Sequence, residues 1–353
     1  MRFRHMTVCL DMHGCPNRCR HCWLGHTPNG NMPLSALSET ASAFRPFTDS
    51  LEMDFWYREP DYPDEYRDLW DLTVSLSDRK TPHFELISVW RLVRDPSYVL
   101  WLTERGVQAV QLTLFGGEAM TDRYTGRRGA YKEILEAMEI LLAHQISPRI
   151  QTFLNQETIP ELPFLEKLIQ ERKLEERCAS FGGEFRFFLH QGSCDGANNN
   201  QYHIWITPDD LARIPETLLR HTYRHFGNDN PEDIFGKPES KWCMLLAGDS
   251  SVENLITDDP VFFVDHRYDV YPNITAPSPH WHLGNLKTDG AEAVLRRYIE
   301  NKSTAQHIRA TIPLGTIVQT CGNPTSRKLF TRGDFITLLL NRYCEINHCE
   351  ASL

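Results

Sequence analysis

Three cysteines stand close together near the N-terminus, and this feature constrains the chain more than any other. Residues 13–23 read HGCPNRCRHCW, which spaces Cys15, Cys19 and Cys22 as Cys-x3-Cys-x2-Cys. Thiols this close in sequence can form a disulfide, bind zinc or bind an iron–sulfur cluster. Each of these would impose its own geometry on the loop that carries them.

The composition narrows these alternatives. The chain has 353 residues, 41% of them hydrophobic and 24% charged, which is typical of a soluble globular protein with a large core. The net charge is -10 without a block of like charge, so we expect no nucleic-acid partner. The first residues do not resemble a signal peptide, and no apolar run is long enough to span a membrane. We therefore expect a cytoplasmic protein with no membrane partner, whose cysteines stay reduced.

The number of thiols distinguishes zinc from iron. A structural zinc site takes four ligands, usually as two pairs. Only one Cys-x-x-Cys pair is present in the motif, although His13 and His21 are near enough in sequence to complete a zinc site. A four-iron cubane held by three thiolates keeps one iron open, as catalytic metal sites keep an open position. The odd number of thiols therefore favours a cluster that does chemistry.

The cysteine motif resembles that of the radical S-adenosylmethionine (SAM) enzymes. In that superfamily the three cysteines, here Cys15, Cys19 and Cys22, hold one [4Fe-4S] cluster. The open iron binds the amino and carboxylate groups of SAM. The resemblance implies reductive cleavage of SAM to a 5′-deoxyadenosyl radical, which abstracts hydrogen from a substrate. It also implies an electron donor such as flavodoxin or ferredoxin.

A second motif follows an apolar segment. Residues 107–115 read VQAVQLTLF, a pattern typical of a strand, and Gly116, Gly117 and Glu118 come directly after it. Two glycines let a ligand approach the backbone closely. In the radical SAM family a Gly-Gly-Glu at this place binds the amino group of SAM. The resemblance therefore assigns SAM binding to these three residues.

Strand and helix patterns alternate along the first two thirds of the chain. Residues 131–145 have the apolar spacing of a helix, whereas 147–155 and 184–192 are typical of strands. Such alternation predicts a parallel sheet covered by helices, and parallel barrels place their active sites at the carboxyl ends of the strands. With the resemblance, we expect an α/β fold: a partial (βα)6-type TIM-like barrel over residues 1–235 and a small α+β extension over 236–353.

Further SAM contacts are expected at the ends of these strands. The family places ribose and carboxylate contacts where Asn155 and Thr152 stand, although such side chains also cap helices. Arg186 and His190 share one face of the next strand. Arg186 is expected to bind the carboxylate of SAM or of Glu118, or else a structural acid. His190 is expected to point toward the same site.

Cys194 lies in the loop after that strand, at the expected barrel mouth. As a catalytic residue it would return a hydrogen atom to a substrate radical, as an epimerase requires. We favour the alternative of a loop cysteine without a catalytic role, because a reactive thiol needs a suitable pKa and exposure.

The long segment between the two motifs predicts an insertion at about residues 43–90. It contains SLEMDFWYREPDYPDEYRDLW at 50–70, which predicts a strand over 50–57 and a helix over 64–76. We favour an insertion that packs its aromatic side chains into the core. The alternative is a lid near the barrel mouth, with Arg58, Glu59 and Asp61 contacting substrate.

The C-terminal region resembles the SPASM extension of many radical SAM enzymes. The resemblance rests on a predicted hairpin over 261–264 and 269–274, on Val270-Tyr271-Pro272 and on Gly284-Asn285. In that extension a cysteine follows Tyr-Pro and helps to hold an auxiliary cluster, whereas Asn273 stands here. We expect the scaffold to be kept and the auxiliary clusters to be lost, with Cys243, Cys321, Cys344 and Cys349 as core residues.

These motifs predict a radical SAM enzyme that modifies a peptide or a small metabolite in biosynthesis. Whether the outcome is oxidation, epimerisation or lyase chemistry does not follow from the motifs.

Two other classes of protein are alternatives to a radical SAM enzyme. An iron–sulfur electron-transfer protein has no need of Gly-Gly-Glu and carries a fourth ligand near the motif. A zinc-stabilised binding module would use a histidine with the thiols.

Overall fold

The computed structural model describes residues 2–24, 30–54, 64–79, 86–272 and 277–351, without the side chains of 347–351. Within these residues the strands are β1 (Met6–Leu10), β2 (Leu51–Asp54), β3 (Ala109–Thr113), β4 (Ser147–Phe153), β5 (Arg186–His190), β6 (Lys237–Pro238), β7 (Val261–Val264), β8 (Asp269–Pro272), β9 (Gly284–Asn285) and β10 (Leu329–Phe330).

The helices of the same residues are α1 (Ser35–Phe44), α2 (Tyr66–Leu76), α3 (Val89–Arg94), α4 (Pro96–Glu104), α5 (Glu118–Thr125), α6 (Ala130–Ala143), α7 (Leu162–Glu171), α8 (Leu174–Ala179), α9 (Gly196–Asn199), α10 (Pro208–Leu211), α11 (Glu216–Phe226), α12 (Pro231–Phe235), α13 (Glu239–Leu246), α14 (Gly290–Ile299), α15 (Thr304–Thr311), α16 (Leu314–Cys321) and α17 (Arg332–Ala351). Among the described helices, none combines the length and the apolar character needed to cross a bilayer.

Strands β3, β4 and β5 form a parallel sheet in that order. Leu112 pairs with Ile150, which pairs with Phe187, so these three buried side chains lie on one face. Because they belong to the same apolar core as residues of α6 and α7, this face is the helix-covered one. The alternate residues of each strand therefore face the barrel interior.

A second sheet has the order β2-β1-β7-β8-β9. Strand β1 pairs in parallel with β2 and with β7, whereas β7 and β8 form an antiparallel hairpin. The hairpin predicted from the sequence is therefore confirmed, and Asn273 lies outside the described residues. Since β7 pairs with β1, the N-terminal and C-terminal regions share a sheet. The boundary expected near residue 235 stays a prediction.

The apolar residues form two clusters on the two sides of β1. Val8 and Leu10 pack with the helix layer in the larger cluster. Cys9 and Phe263, on the opposite face, pack with Tyr271 and other C-terminal side chains in the second cluster. The C-terminal region therefore packs against the interior face of β1 and β7, next to the loop that carries the three motif cysteines.

The insertion contributes to the core. It contains β2, which extends the β1 sheet, and α2, which buries Tyr66 and Trp70. The ring centroid of Tyr66 lies 5.1 Å from that of Tyr98 and 5.0 Å from that of Trp101. Such aromatic contacts stabilise a core, and they confirm the packing interpretation for the described aromatic residues. The alternative of a lid rested on substrate contacts by Arg58, Glu59 and Asp61. These three residues lie outside the described residues.

Candidate cluster and SAM site

The cysteine loop leaves the carboxyl end of β1 and is fixed to helix α5. The backbone N–H of Arg18 donates to the carbonyl oxygen of Thr125 at 2.8 Å, and that of Arg20 donates to Tyr124 at 2.9 Å. Helix α5 begins at Glu118, the last residue of Gly-Gly-Glu. The two sequence motifs, about a hundred residues apart, are therefore held by one short helix.

The second half of the cysteine loop is covered by the segment after β5. The carbonyl oxygen of Cys22 accepts a hydrogen bond from the N–H of Ala197 at 2.9 Å. The carbonyl oxygen of Arg20 accepts one from Nε2 of Gln201 at 2.7 Å. Gln201 is buried, so this contact is shielded from water. The loop is therefore held from two sides.

The three thiols are suited to bind a cluster. Cys15, Cys19 and Cys22 are half-buried, and no described cysteine is in a disulfide. The backbone N–H of Asn17 donates to Sγ of Cys15 at 3.4 Å, and hydrogen bonds to sulfur are among the features that tune clusters. No three His, Cys, Asp or Glu side chains of the described residues converge on a single ion. The thiol donors and the N–H bond to sulfur fit thiolate ligation of a [4Fe-4S] cluster.

The Gly-Gly turn lies against Glu161. The N–H of Gly117 donates to Oε2 of Glu161 at 2.9 Å. Gly116 has φ +141°, and a Cβ atom there would lie 2.3 Å from the same oxygen. Both facts require glycine at position 116. Glu118 is the first residue of α5; its side chain is 52% exposed and its Oε1 lies 3.0 Å from Nζ of Lys132.

Two histidines line the space between the cysteine loop and the ends of β4 and β5. The ring of His21 lies 3.9 Å from that of Phe153 and 4.9 Å from that of Phe115, measured between centroids. Burial, with the nearby His190, lowers the pKa of His21 to about 3. Burial and the nearby His225 lower the pKa of His190 to about 4. Both imidazoles are therefore neutral at pH 7.

His190 also contacts the aromatic wall. Its ring lies 5.6 Å from that of Phe153, and its Nδ1 accepts the N–H of Gly192 at 2.8 Å. His190 keeps an exposed surface, although protein atoms surround it closely enough to lower its pKa. The structure therefore places His190 beside Phe153, and a contact between His190 and SAM stays a prediction. His21 was considered only as a zinc ligand, and its packing between two rings was not foreseen.

Asn155 lies at the expected strand end, but its side chain forms hydrogen bonds with nearby backbone groups. Its Oδ1 accepts the N–H groups of Glu157 at 2.9 Å and Thr158 at 3.0 Å, and the hydroxyl of Tyr124 at 3.2 Å. Its Nδ2 donates to Gln201 at 3.4 Å. The side chain therefore stabilises the turn after β4, and a SAM contact by Asn155 stays a prediction.

The structure does not bring Thr152 or Arg186 to the site. Thr152 is buried on the helix-covered face of β4, and the interior positions there are Gln151 and Phe153. Arg186 is at the amino end of β5, half exposed, with its NH2 nitrogen 2.9 Å from Oε2 of Glu184. It therefore pairs with a nearby acid and not with Glu118, which follows the opposite end of the sheet.

Cys194 is 1% exposed and packs in the second apolar cluster. Its carbonyl oxygen accepts a hydrogen bond from Nδ2 of Asn341 on α17 at 3.2 Å. Burial, with the nearby Asp334 and Asp195, raises the pKa of the Cys194 thiol. A buried thiol of high pKa is unreactive, which favours the interpretation without a catalytic role.

A cavity of about 430 Å³ lies at the carboxyl ends of β1 and β7. It is lined by Asp11, which follows β1, by Asp265, which follows β7, and by Tyr271, His266 and His282. Asp11 and Asp265 are buried carboxyl groups. The cavity therefore adjoins the start of the cysteine loop, where a substrate would enter a parallel barrel.

Comparisons with known proteins agree with this geometry. Residues 10–161, which include both motifs, match the family model of the Radical SAM superfamily. No curated protein matches the sequence. A solved structure described as polyhistidine-tagged anSMEcpe with bound AdoMet is 13% identical, with TM-score 0.51 over 97% of this chain and 96% of that chain. Native anSMEcpe with bound AdoMet and Kp18Cys peptide is 13% identical, with TM-score 0.50 over 98% and 99%.

The fold and the two motifs define an α/β enzyme with a partial TIM-like barrel. The matched segment is identified as a radical SAM domain. The cofactors of this superfamily are a [4Fe-4S] cluster and SAM, which is the AdoMet of the two solved structures.

Proposed function

We propose that the protein modifies a peptide or a small metabolite by abstracting hydrogen with a SAM-derived radical. The observation that carries the proposal is the pair of backbone hydrogen bonds from Arg18 and Arg20 to the last turn of α5. These bonds hold the cysteine loop against the helix that begins at Glu118. Helix α5 would therefore support both the cluster on the loop and the amino group of SAM at Gly-Gly-Glu. Such common support fixes the distance between two reactants, which speeds their reaction.

The residues have separate roles in this proposal. Cys15, Cys19 and Cys22 hold the cluster, which supplies the electron that cleaves SAM. The Gly-Gly turn and Glu118 bind the amino group of SAM. The aromatic wall of His21, Phe153 and His190 excludes water from the interior and adds no charge to it, because both imidazoles are neutral.

The cavity lined by Asp11 and Asp265 is the proposed substrate site. Its volume of about 430 Å³ is enough for one amino-acid side chain with its backbone or for a small metabolite. A peptide is supported by the solved structure of similar fold that contains the Kp18Cys peptide. We therefore propose a peptide substrate first and a small metabolite second.

The test is production of 5′-deoxyadenosine from SAM by anaerobically reconstituted protein with dithionite. A radical SAM enzyme releases it, whereas an iron–sulfur electron carrier or a zinc-stabilised module does not. Iron and zinc analysis of the same sample separates the last two classes. A reconstituted protein that contains its cluster but releases no 5′-deoxyadenosine would contradict the proposal.

Replacing Glu118 with glutamine is expected to weaken SAM binding while the cluster is retained. The substitution removes the charge of one hydrogen bond to the ammonium group, which costs about 1.5–3 kcal/mol, or roughly ten- to a hundredfold in affinity. The measurement is calorimetric titration of the reconstituted protein with SAM.

Lys132→Met is the matched control for this variant. It removes the partner of Glu118 in the ion pair but leaves the carboxylate in place. Exposed pairs of this kind contribute about 0–1 kcal/mol to stability, so the control should unfold at nearly the same temperature and bind SAM at least as well as wild type. Equal SAM affinity in Glu118→Gln and wild type would remove the proposed role of Glu118.

The C-terminal cysteines are expected to bind no second cluster. Burial raises the pKa of Cys344 to about 12 and also raises the pKa values of Cys243 and Cys321, so these thiols stay protonated in apolar surroundings. Replacing Cys243, Cys321, Cys344 and Cys349 with serine should leave about four irons per reconstituted chain. About eight irons in wild type, falling to about four in this variant, would show an auxiliary cluster.

A further inference from the structure

Five arginines lie on the cysteine loop, on the end of α5 or in the turn that follows α5. We call this surface the arginine face, and it consists of Arg18, Arg20, Arg123, Arg127 and Arg128. Two of them belong to the cysteine loop itself, and three belong to the end of α5 and the turn that follows it. The chain as a whole has a net charge of -10, so this group of arginines is opposite in sign to the net charge.

The arginine face is joined directly to the cysteine loop. Nε of Arg127 donates to Oδ1 of Asn17, between the first two motif cysteines, at 2.8 Å. A Cβ atom on Gly126 would lie 2.7 Å from the carbonyl oxygen of Arg18, so the turn after α5 touches the loop backbone. Charges on this face are therefore close to any cluster held by the loop.

The acids near this face neutralise only part of its charge. Arg20 and Arg123 share Glu157, with N–O distances of 3.3 and 3.0 Å. Arg127 pairs with Glu133 at 2.6 Å. The carboxylate of Asp122 accepts the N–H groups of Gly129 and Tyr131 in the turn after α5. Arg18 and Arg128 are exposed, and neither forms an ion pair with a described acid. An excess of positive charge therefore points into solvent.

Among the described residues, the two halves of the cysteine loop are covered to different extents. The segment with Ala197 and Gln201 covers the second half of the loop through its bonds to Cys22 and Arg20. The first half, around the exposed Arg18, is not covered by that segment. A macromolecule that reaches the loop from outside would therefore meet the arginines first.

We infer that the arginine face is the docking surface for an acidic protein that carries one electron. The inference rests on the proposed function, since a [4Fe-4S] cluster must be reduced from the 2+ to the 1+ state before SAM is cleaved. The balancing half-reaction is the loss of one electron by the reduced flavin or iron–sulfur centre of the carrier. No proton or atom is transferred in this step.

Charge complementarity is the physical basis of the inference. Opposite surface charges raise the association rate of two proteins by about 10- to 1,000-fold at low salt. Salt screens the effect, since the Debye length is about 10 Å at 0.1 M ionic strength. An acidic carrier would otherwise be repelled by a chain of net charge -10. The arginine face supplies local attraction beside the cluster loop.

The test compares two reconstituted double variants with equal changes of charge. The first is Arg18→Glu with Arg128→Glu. The control is Arg220→Glu with Arg224→Glu, two exposed arginines on α11. Stopped-flow absorbance records cluster reduction by an acidic flavodoxin and by an acidic ferredoxin, each fully reduced, at low and high salt. Iron content and dithionite-driven 5′-deoxyadenosine formation are measured in parallel.

We expect the first variant to lose about tenfold or more in its second-order rate at low salt and most of its salt dependence, with either carrier. The control should stay within about twofold of wild type, and dithionite-driven activity should be unchanged in the control and in Arg128→Glu alone. Arg128→Glu alone, which leaves the cysteine loop intact, should give part of the loss.

Equal rates in wild type and all variants would overturn the docking surface. So would a variant that binds a substrate peptide more weakly but is reduced by the carriers at the wild-type rate. Failure of wild-type protein to cleave SAM with dithionite would instead overturn the proposed function. The two failures are therefore separate.

Discussion

Replacing Cys15, Cys19 and Cys22 together with alanine is expected to abolish SAM cleavage and to remove about four irons per chain. The physical reason is that thiolates are the iron ligands of such clusters, and alanine offers no donor atom. The backbone bonds that hold the loop, from Arg18 and Arg20 to α5, do not involve these side chains, so the fold should persist.

The measurements are iron content after anaerobic reconstitution and 5′-deoxyadenosine formed with dithionite. Cys321→Ala is the matched control, because this thiol is also half-buried but lies outside the motif. It should keep wild-type iron and activity. A triple variant that still cleaves SAM would show that the cluster is held elsewhere.

Local patterns predicted the elements that position the site. The helix expected over 131–145 is observed as Ala130–Ala143, and the strand expected over 147–155 as Ser147–Phe153. Apolar periodicity is a local property, so it is readable from the sequence. The same holds for the two motifs, whose residues are contiguous. The cysteine loop and the Gly-Gly turn could therefore be named as candidate sites from the sequence, and their roles stay predictions.

The direction of individual side chains was not predictable. In a strand, neighbouring residues point to opposite faces, so choosing Thr152 in place of Phe153 selects the wrong face. The register with β3 and β5 decides which face is interior, and no local signal contains that register. The prediction for Arg186 failed for another reason. Arg186 is on the interior face of β5, but it lies at the amino end of the strand, away from the motifs.

The long-range contacts at the site could also not be predicted from the sequence. Glu161 accepts the N–H of Gly117 from 44 residues away. Gly126 touches the backbone of Arg18, and its sequence context is an ordinary helix end. Helix-terminal glycines are common, so nothing local distinguishes one that supports a cluster loop from one that does not.

Replacing Gly126 with alanine is expected to reduce cluster retention and SAM cleavage by about 10- to 100-fold, the usual effect of losing support around metal ligands. Gly126 has φ 65° and ψ 22°, which costs an alanine about 1–2 kcal/mol. The new Cβ atom would also lie 2.7 Å from the carbonyl oxygen of Arg18, a backbone atom. Relief of this contact must move the loop that carries the cysteines.

Gly227→Ala is the control that separates the cost of the backbone conformation from the cost of the contact with Arg18. Gly227 ends α11 with φ 62° and ψ 26°, nearly the conformation of Gly126, so the backbone penalty is the same. Within the described residues, no atom lies within 4 Å of the Cβ that alanine would add there. Both variants should unfold at a lower temperature than wild type, but only Gly126→Ala should lose iron faster to a chelator. Equal rates of iron loss in the two variants would show that the contact between Gly126 and Arg18 does not support the cluster.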